Sequence, residues 1–195
     1  MNNLFEYKAL GHYKKQLFEC ICNNEKTDML IDVIMPCLDD NRINKIDNFL
    51  GGEQEINTSS GKEIVKLQGH LYDVPFIYTT VTNAINCICI DTNIANNSIS
   101  TKTMSVTIYV MCHKSNLNIS HDEKSIYRKL GYVGNRLDIA VAILGDMLNH
   151  SKDFGIGRLT PLPRTPVRPY FPNDNYFGKI LEYTCSDFML DYSNV

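Results

Sequence analysis

Leu10, Tyr13, Leu17, Cys20 and Ile21 recur at helical spacing, while Lys14, Lys15 and Glu19 fall elsewhere around the wheel. Residues 3–23 therefore read as an amphipathic helix, with Asn2 or Asn3 as its cap and Asn23-Asn24 as its end. A second, short apolar segment, TDMLIDVIM over 27–35, stops at Pro36, because the residue before a proline avoids the helical region. Periodicity then fades. Acidic clusters, Gly51-Gly52 and the polar run Asn57–Gly61 predict a long loop or arm over 37–73. Segments of that kind serve function directly or order on a neighbour.

From Pro75 the pattern changes to β. Phe76–Val81 is rich in strand formers. Ile85, Cys87 and Cys89 alternate with Asn86, Ile88 and Ile90, and both sets are mostly apolar, so this strand is expected to be covered on both faces. Asn93–Ser98 reads as a loop. Met104, Val106, Ile108, Val110 and Cys112 alternate with Ser105, Thr107 and Tyr109, the clearest strand signal in the chain. The two strands form an antiparallel hairpin with an Asn/Ser-rich tip. Residues 116–134 are polar and carry Gly131 and Gly134. A helix follows over 135–149, where Leu137, Ala140, Val141, Leu144, Met147 and Leu148 form one stripe. Ile139, Ala142 and Ile143 form a second apolar face, which must lie between layers or against another subunit.

Residues 156–163 and 177–188 read as two further antiparallel strands. Pro161, Pro163, Pro166, Pro169 and Pro172 lie at or between them, and prolines at this density suit an extended edge or a stiff loop, not a central strand. The fold class is α+β, an antiparallel sheet with helices packed on one face and long loops. One domain over 1–195 is expected: a helical part at 1–36, the arm at 37–73, and a core at 74–195 with extended loops at 115–134 and 160–175.

A content of 44% hydrophobic and 21% charged residues excludes disordered, collagen-like and coiled-coil chains. No apolar run approaches the roughly 18 residues of a membrane span, and MNNLFEYKALGHYKK lacks the apolar core of a signal peptide. A net charge of −3 with a pI of about 5.9 weakens a general nucleic-acid or anionic-lipid binder.

The seven cysteines are odd in number and fit free thiols in a reducing compartment better than a disulfide framework. Cys20/Cys22 and Cys87/Cys89 have C-x-C spacing, unlike zinc knuckles, and read as small buried hydrophobes. Gly155-Ile156-Gly157 lacks the third glycine and the following helix of a phosphate loop. Cys112 and His113 are adjacent, so in a strand they point to opposite faces. His113 and His121 flank a polar loop with Asp122 and Glu123, read as surface and not as a metal site. No metal or cofactor is expected.

Asn135-Arg136-Leu137-Asp138 opens the strong helix. Asp138 complements the helix dipole, and Arg136 pairs with an acid in the same chain or in a neighbouring subunit. The run RLTPLPRTPVRPYFP is the most distinctive segment, with Arg158, Arg164 and Arg168 spaced along it. An assembly contact is its preferred use; a polyproline-type ligand and a phosphate-facing arm are the alternatives.

DVPFIYTTVTNAINCICID, MSVTIYVMCHK, GNRLDIAVAILGDMLNHSKDFGIGRL and YFGKILEYTCSDF, in this order, resemble the tail terminator or neck (tail-completion) proteins of tailed bacteriophages. The resemblance covers residues 70–188 and rests on element order, the R-x-D helix start and the F-G-I-G turn. It implies a non-enzymatic virion protein assembled in the host bacterial cytoplasm. That protein would form a ring, usually hexameric, on the tail tube. Its implied partners are further copies of itself, the tail tube protein, the tail sheath and the neck or connector, with DNA passing through unread and no membrane involved. The interface residues expected for such a ring are Arg136, Asp138, Ile139, Ile143, Arg158, Arg164 and Arg168. Three alternatives remain open: another head–tail connector protein, a small cytoplasmic enzyme using the Cys112 or Cys185 thiol with a histidine brought near by folding, and a host-interaction adaptor.

Overall fold

The computed structural model describes residues 3–35, 42–58, 61–67, 69–73, 84–97, 102–149, 158–163 and 167–186. Three helices come first: α1 (Asn3–Asn23), α2 (Thr27–Ile34) and α3 (Arg42–Leu50). A hairpin of β1 (Gly52–Thr58) and β2 (Gly61–Leu67) follows, then a short β3 (Leu71–Tyr72). The long strands β4 (Cys87–Asn97) and β5 (Lys102–His113) lead into a 3-10 turn over Lys114–Asn116. Helices α4 (His121–Lys129) and α5 (Arg136–Leu148) precede β6 (Arg158–Pro161), β7 (Val167–Asn173) and β8 (Tyr176–Ser186). The fold is α+β. Among the described residues, no helix is long and apolar enough to cross a membrane.

The main sheet has six strands in the order β3-β4-β5-β8-β6, with β7 also on β8. Strand β8 is central: β5 runs antiparallel along its whole length, β6 pairs with Tyr183–Ser186, and β7 pairs with the other half. The sheet is mixed, not wholly antiparallel as expected. Strand β3 is parallel to β4, which the crossover of a dozen or more residues between them makes feasible.

Alternation along the strands sorts side chains to two faces. Ile88 and Ile90 of β4, Met104 to Cys112 at every second residue of β5, and Leu181, Tyr183 and Cys185 of β8 are buried toward the helices. Against them pack Tyr13, Leu17 and Ile21 of α1, Leu30, Ile31, Val33 and Ile34 of α2, Phe49 of α3, and most of α5. The opposite face carries a smaller cluster of Cys87, Cys89, Met111 and Tyr176, ringed by Tyr72, Tyr109 and Tyr170. Strand β4 is thus covered on both faces, as its doubly apolar pattern predicts. The α1–α2 turn is fixed by buried Thr27, whose hydroxyl donates to the Ile21 and Asn24 carbonyls, each at 2.6 Å.

Several expected loops are ordered elements. The 37–73 arm contains α3, the β1–β2 hairpin and β3; the hairpin reads poorly because Gly52–Thr58 and Gly61–Leu67 carry few apolar residues. Asn93–Asn97 belongs to β4, with a register shift between Ile94 and Asn96. The 115–134 loop contains α4, and the 160–175 loop contains all of β7. Pro169 and Pro172 sit in β7, whose only strand partner among the described residues is β8, in keeping with the edge position prolines require. Phe76–Val81, Gly155–Gly157, Arg164 and Pro166 lie outside the described residues.

Candidate functional site

The start of α5 is built by its own sequence. Asn135 Oδ1 accepts from Asp138 N at 3.0 Å, and Asp138 Oδ2 accepts from Asn135 N at 3.1 Å, a reciprocal capping box. Gly134, at φ +119°, turns the chain into this cap, and a Cβ there would stand 2.5 Å from Asp138 Oδ2. Asp138 Oδ1 accepts from Lys179 Nζ of β8 at 2.6 Å. Burial pushes the Asp138 carboxyl up, but the Lys179 ammonium and the Asn135 amide outweigh it and hold it below the usual carboxylate range.

Arg136 is buried and tied on three sides. Its Nε donates to Asn116 O at 2.8 Å, its Nη1 to Val33 O at 2.9 Å, and its Nη2 lies 3.5 Å from Glu123 Oε1. Glu123 in turn closes the cap of α4 with Ser120. The acid that pairs with Arg136 is therefore in the same chain. The guanidinium joins α2, α4 and α5 internally, so the expected role at a subunit boundary moves off this residue. The same holds for Ile139 and Ile143, which are 1% and 0% exposed within the chain's own core. Their stripe is apolar because α5 lies between α2 and the sheet, while Ala142 is the exposed member of that face.

The remaining predicted residues mark the β6–β7 edge. Arg158 is exposed on β6, opposite Ser186. Arg168 is exposed on β7 and makes a forked pair with Glu182 of β8 at 3.1 and 3.0 Å. Register places both arginines on the helix-free face. Val167, Phe171 and Phe177 are exposed at the same edge; Phe171 is 66% exposed, and its ring meets Phe177 edge-on at 6.0 Å. The sequence reading did not single out these aromatics, although Tyr170-Phe171 within the proline run was the available signal.

A second surface feature lies between α4 and α5. A cavity of about 190 Å³ is lined by Lys124, Arg128, Tyr132, Val133, Gly134 and Ile139. The polar sequence over 116–134 predicts a loop here and hides the cavity; the S-x-x-E spacing of Ser120 and Glu123 is the signal that marks the helix.

Among the described residues, Cys87, Cys89, Cys112 and Cys185 are buried thiols held in no disulfide. Cys112 Sγ donates to Asn86 Oδ1 at 3.0 Å, and Asn86 also donates to Ile34 O at 2.9 Å. Burial pushes the Cys112 thiol up to about 12, against a weaker pull from Arg136. Cys185 is fully buried. Cys87 is raised by its bond to Cys89 and by burial. His70 is held neutral-leaning by burial, with Nδ1 2.6 Å from Asn86 O. Among the described residues, no group of three or more His, Cys, Asp or Glu side chains is placed to hold a metal ion.

These features define an α+β protein whose distinctive chemistry lies at exposed apolar and cationic surfaces. The YomW family model matches residues 15–185, and the chain belongs to that family, which is phage-derived. Neither comparison, with curated proteins or with solved structures, gives a match.

Proposed function

We propose that this chain is a non-enzymatic structural protein of a tailed-phage virion. In this reading it forms a ring, of six copies, at the head-proximal end of the tail, where it ends the tube and joins it to the neck. The observation that carries the reading is the exposed β7–β8 edge, where Val167, Phe171 and Phe177 are exposed and Arg168 is exposed on the same strand β7. Apolar side chains clustered at a sheet edge are what a subunit interface uses, and an edge strand offers unpaired backbone groups besides. Membership in a phage-derived family supports the setting. The raised Cys112 thiol weighs against the thiol-enzyme alternative, since a nucleophile needs its thiolate near neutral pH.

Native mass spectrometry of the purified protein, with imaging of phage particles labelled through it, tests the reading. A closed ring on the tail axis next to the head is expected. A protein that stays monomeric at all concentrations and is absent from particles would overturn it.

A further inference from the structure

We infer that the α4–α5 groove receives the segment that follows β8, Asp187-Phe188-Met189-Leu190-Asp191, from a second copy of this chain. The inference rests on the ring reading above and gives that ring its repeating contact.

The groove and the segment are complementary in chemistry. The floor is apolar, from Val133, Ile139 and the Tyr132 ring, and Val133 is 68% exposed. The rim carries Lys124 and Arg128, one helical turn apart on α4. Among the described residues, neither cation has a carboxylate within ion-pair distance, although the whole chain is net negative. Residues 187–191, outside the described residues, place three large apolar side chains between two aspartates. A cavity of about 190 Å³ admits one such side chain, leaving the flanking carboxylates at the cationic rim.

Direction and reach bear on the choice between the chain's own groove and a neighbour's. Asp138 crowds Gly134 of the groove and is bonded to Lys179, which fixes the groove beside Lys179. From Lys179 to Ser186, β8 advances seven residues, about 23 Å at ~3.3 Å each. Leu190 lies four residues past Ser186 and reaches back at most about 14 Å. The segment therefore leaves β8 at the end of the strand away from Lys179 and the groove, which favours a neighbour's groove over the chain's own. Docking in a neighbour joins two different surfaces, and a contact of that kind closes into a ring when its rotation allows.

The test uses the full chain in two variants: Lys124→Glu with Arg128→Glu, and Phe188→Ser with Leu190→Ser. Circular dichroism and thermal melting establish that both fold, and sedimentation velocity reads their assembly. Each alone is expected to weaken self-association about 30-fold or more. Mixed together, they should associate with each other more tightly than either does with itself, because one intact groove then meets one intact segment. Adding Asp187→Lys and Asp191→Lys to the groove variant should restore assembly by reversing both charges. Variants that assemble like the parent would overturn the groove contact and leave the ring reading standing. A parent chain that never self-associates, in solution or on particles, would overturn both.

Discussion

Asp138 Oδ1 and Lys179 Nζ stand 2.6 Å apart and tie the first turn of α5 to the central strand β8. About a third of each side chain is exposed, so the ion pair itself is worth little, roughly 1 kcal/mol or less. The cap that Asp138 makes with Asn135 contributes about 1 kcal/mol more. Asp138→Ala is therefore expected to cost about 1–2 kcal/mol, and Lys179→Ala less than about 1 kcal/mol. Urea unfolding of the two variants checks this ordering. Equal losses would mean that the cap adds nothing beyond the pair.

Arg136 is expected to act on folding and not on association. Arg136→Met leaves the Val33 and Asn116 carbonyls without their donor and Glu123 without its cation. The loss is expected to be about 3 kcal/mol, since breaking a buried charged network strands its remaining members. Arg136→Lys should recover only part of it, because an ammonium cannot reproduce the fork. Denaturation midpoints read the stability, and the oligomeric state of the folded fraction should not change. A variant of full stability that fails to assemble would return Arg136 to the subunit boundary.

Acid sensitivity follows from three carboxylates held below their ordinary range. Asp138 and Glu123 are pushed up by burial but pulled down further by Lys179 and Asn135 in one case, and by Ser120 and Arg136 in the other. Asp146 is lowered by the Tyr132 hydroxyl, at 2.6 Å, and by Lys26, at 2.9 Å. Each folded-state value lies below the unfolded one. The stabilisation is thus complete above the unfolded carboxylate range near pH 4, and disappears as pH falls through the folded values. Lys26, raised by its bonds to Asp146 and then Tyr132, acts on the other side, with its contribution lost only in strong alkali. Urea midpoints should be flat from these groups between pH 5 and 7 and fall below pH 4. Asp146→Asn should soften that acid limb; an unchanged limb would remove Asp146 from the account.

The helices around the core were legible because burial writes a period into them. Residues 3–23 and the stripe from Leu137 to Leu148 mark α1 and α5 directly, and the alternation from Met104 to Cys112 marks β5. Elements with little burial wrote no such period. Helix α4 buries only Tyr127, so its signal was the Ser120–Glu123 cap, and among the described side chains of the 42–50 helix only Phe49 is fully buried. Partner identity was not legible either. The doubly apolar face of α5 has the same composition whether it meets α2 or another subunit, and only the fold shows which. Asn86, which joins Cys112 to the end of α2, is a single polar residue among apolar neighbours with no pattern to mark it.

Ile143 is 0% exposed in the chain's own core, so its replacement should report on folding. Ile143→Ala is expected to cost about 2–5 kcal/mol by leaving a cavity between α5 and its neighbours. Ile139→Asp buries an unpaired carboxylate and should abolish soluble, folded protein. Thermal melting and solubility check both. A soluble, cooperatively folded Ile139→Asp chain that fails only in assembly would restore these residues to an interface.

The exposed edge gives the opposite expectation. Phe171 is 66% exposed, so Phe171→Ser should change stability little, within about 1 kcal/mol. If the β7–β8 edge is the subunit contact, the same change should lower self-association and the yield of complete particles. Arg168→Gln is the matching polar test. A glutamate there would face Glu182 and disturb the strand pair itself, whereas glutamine removes the charge without that repulsion. Sedimentation velocity and particle counts after complementation read the outcome. Assembly equal to the parent in both variants would take this edge out of the interface.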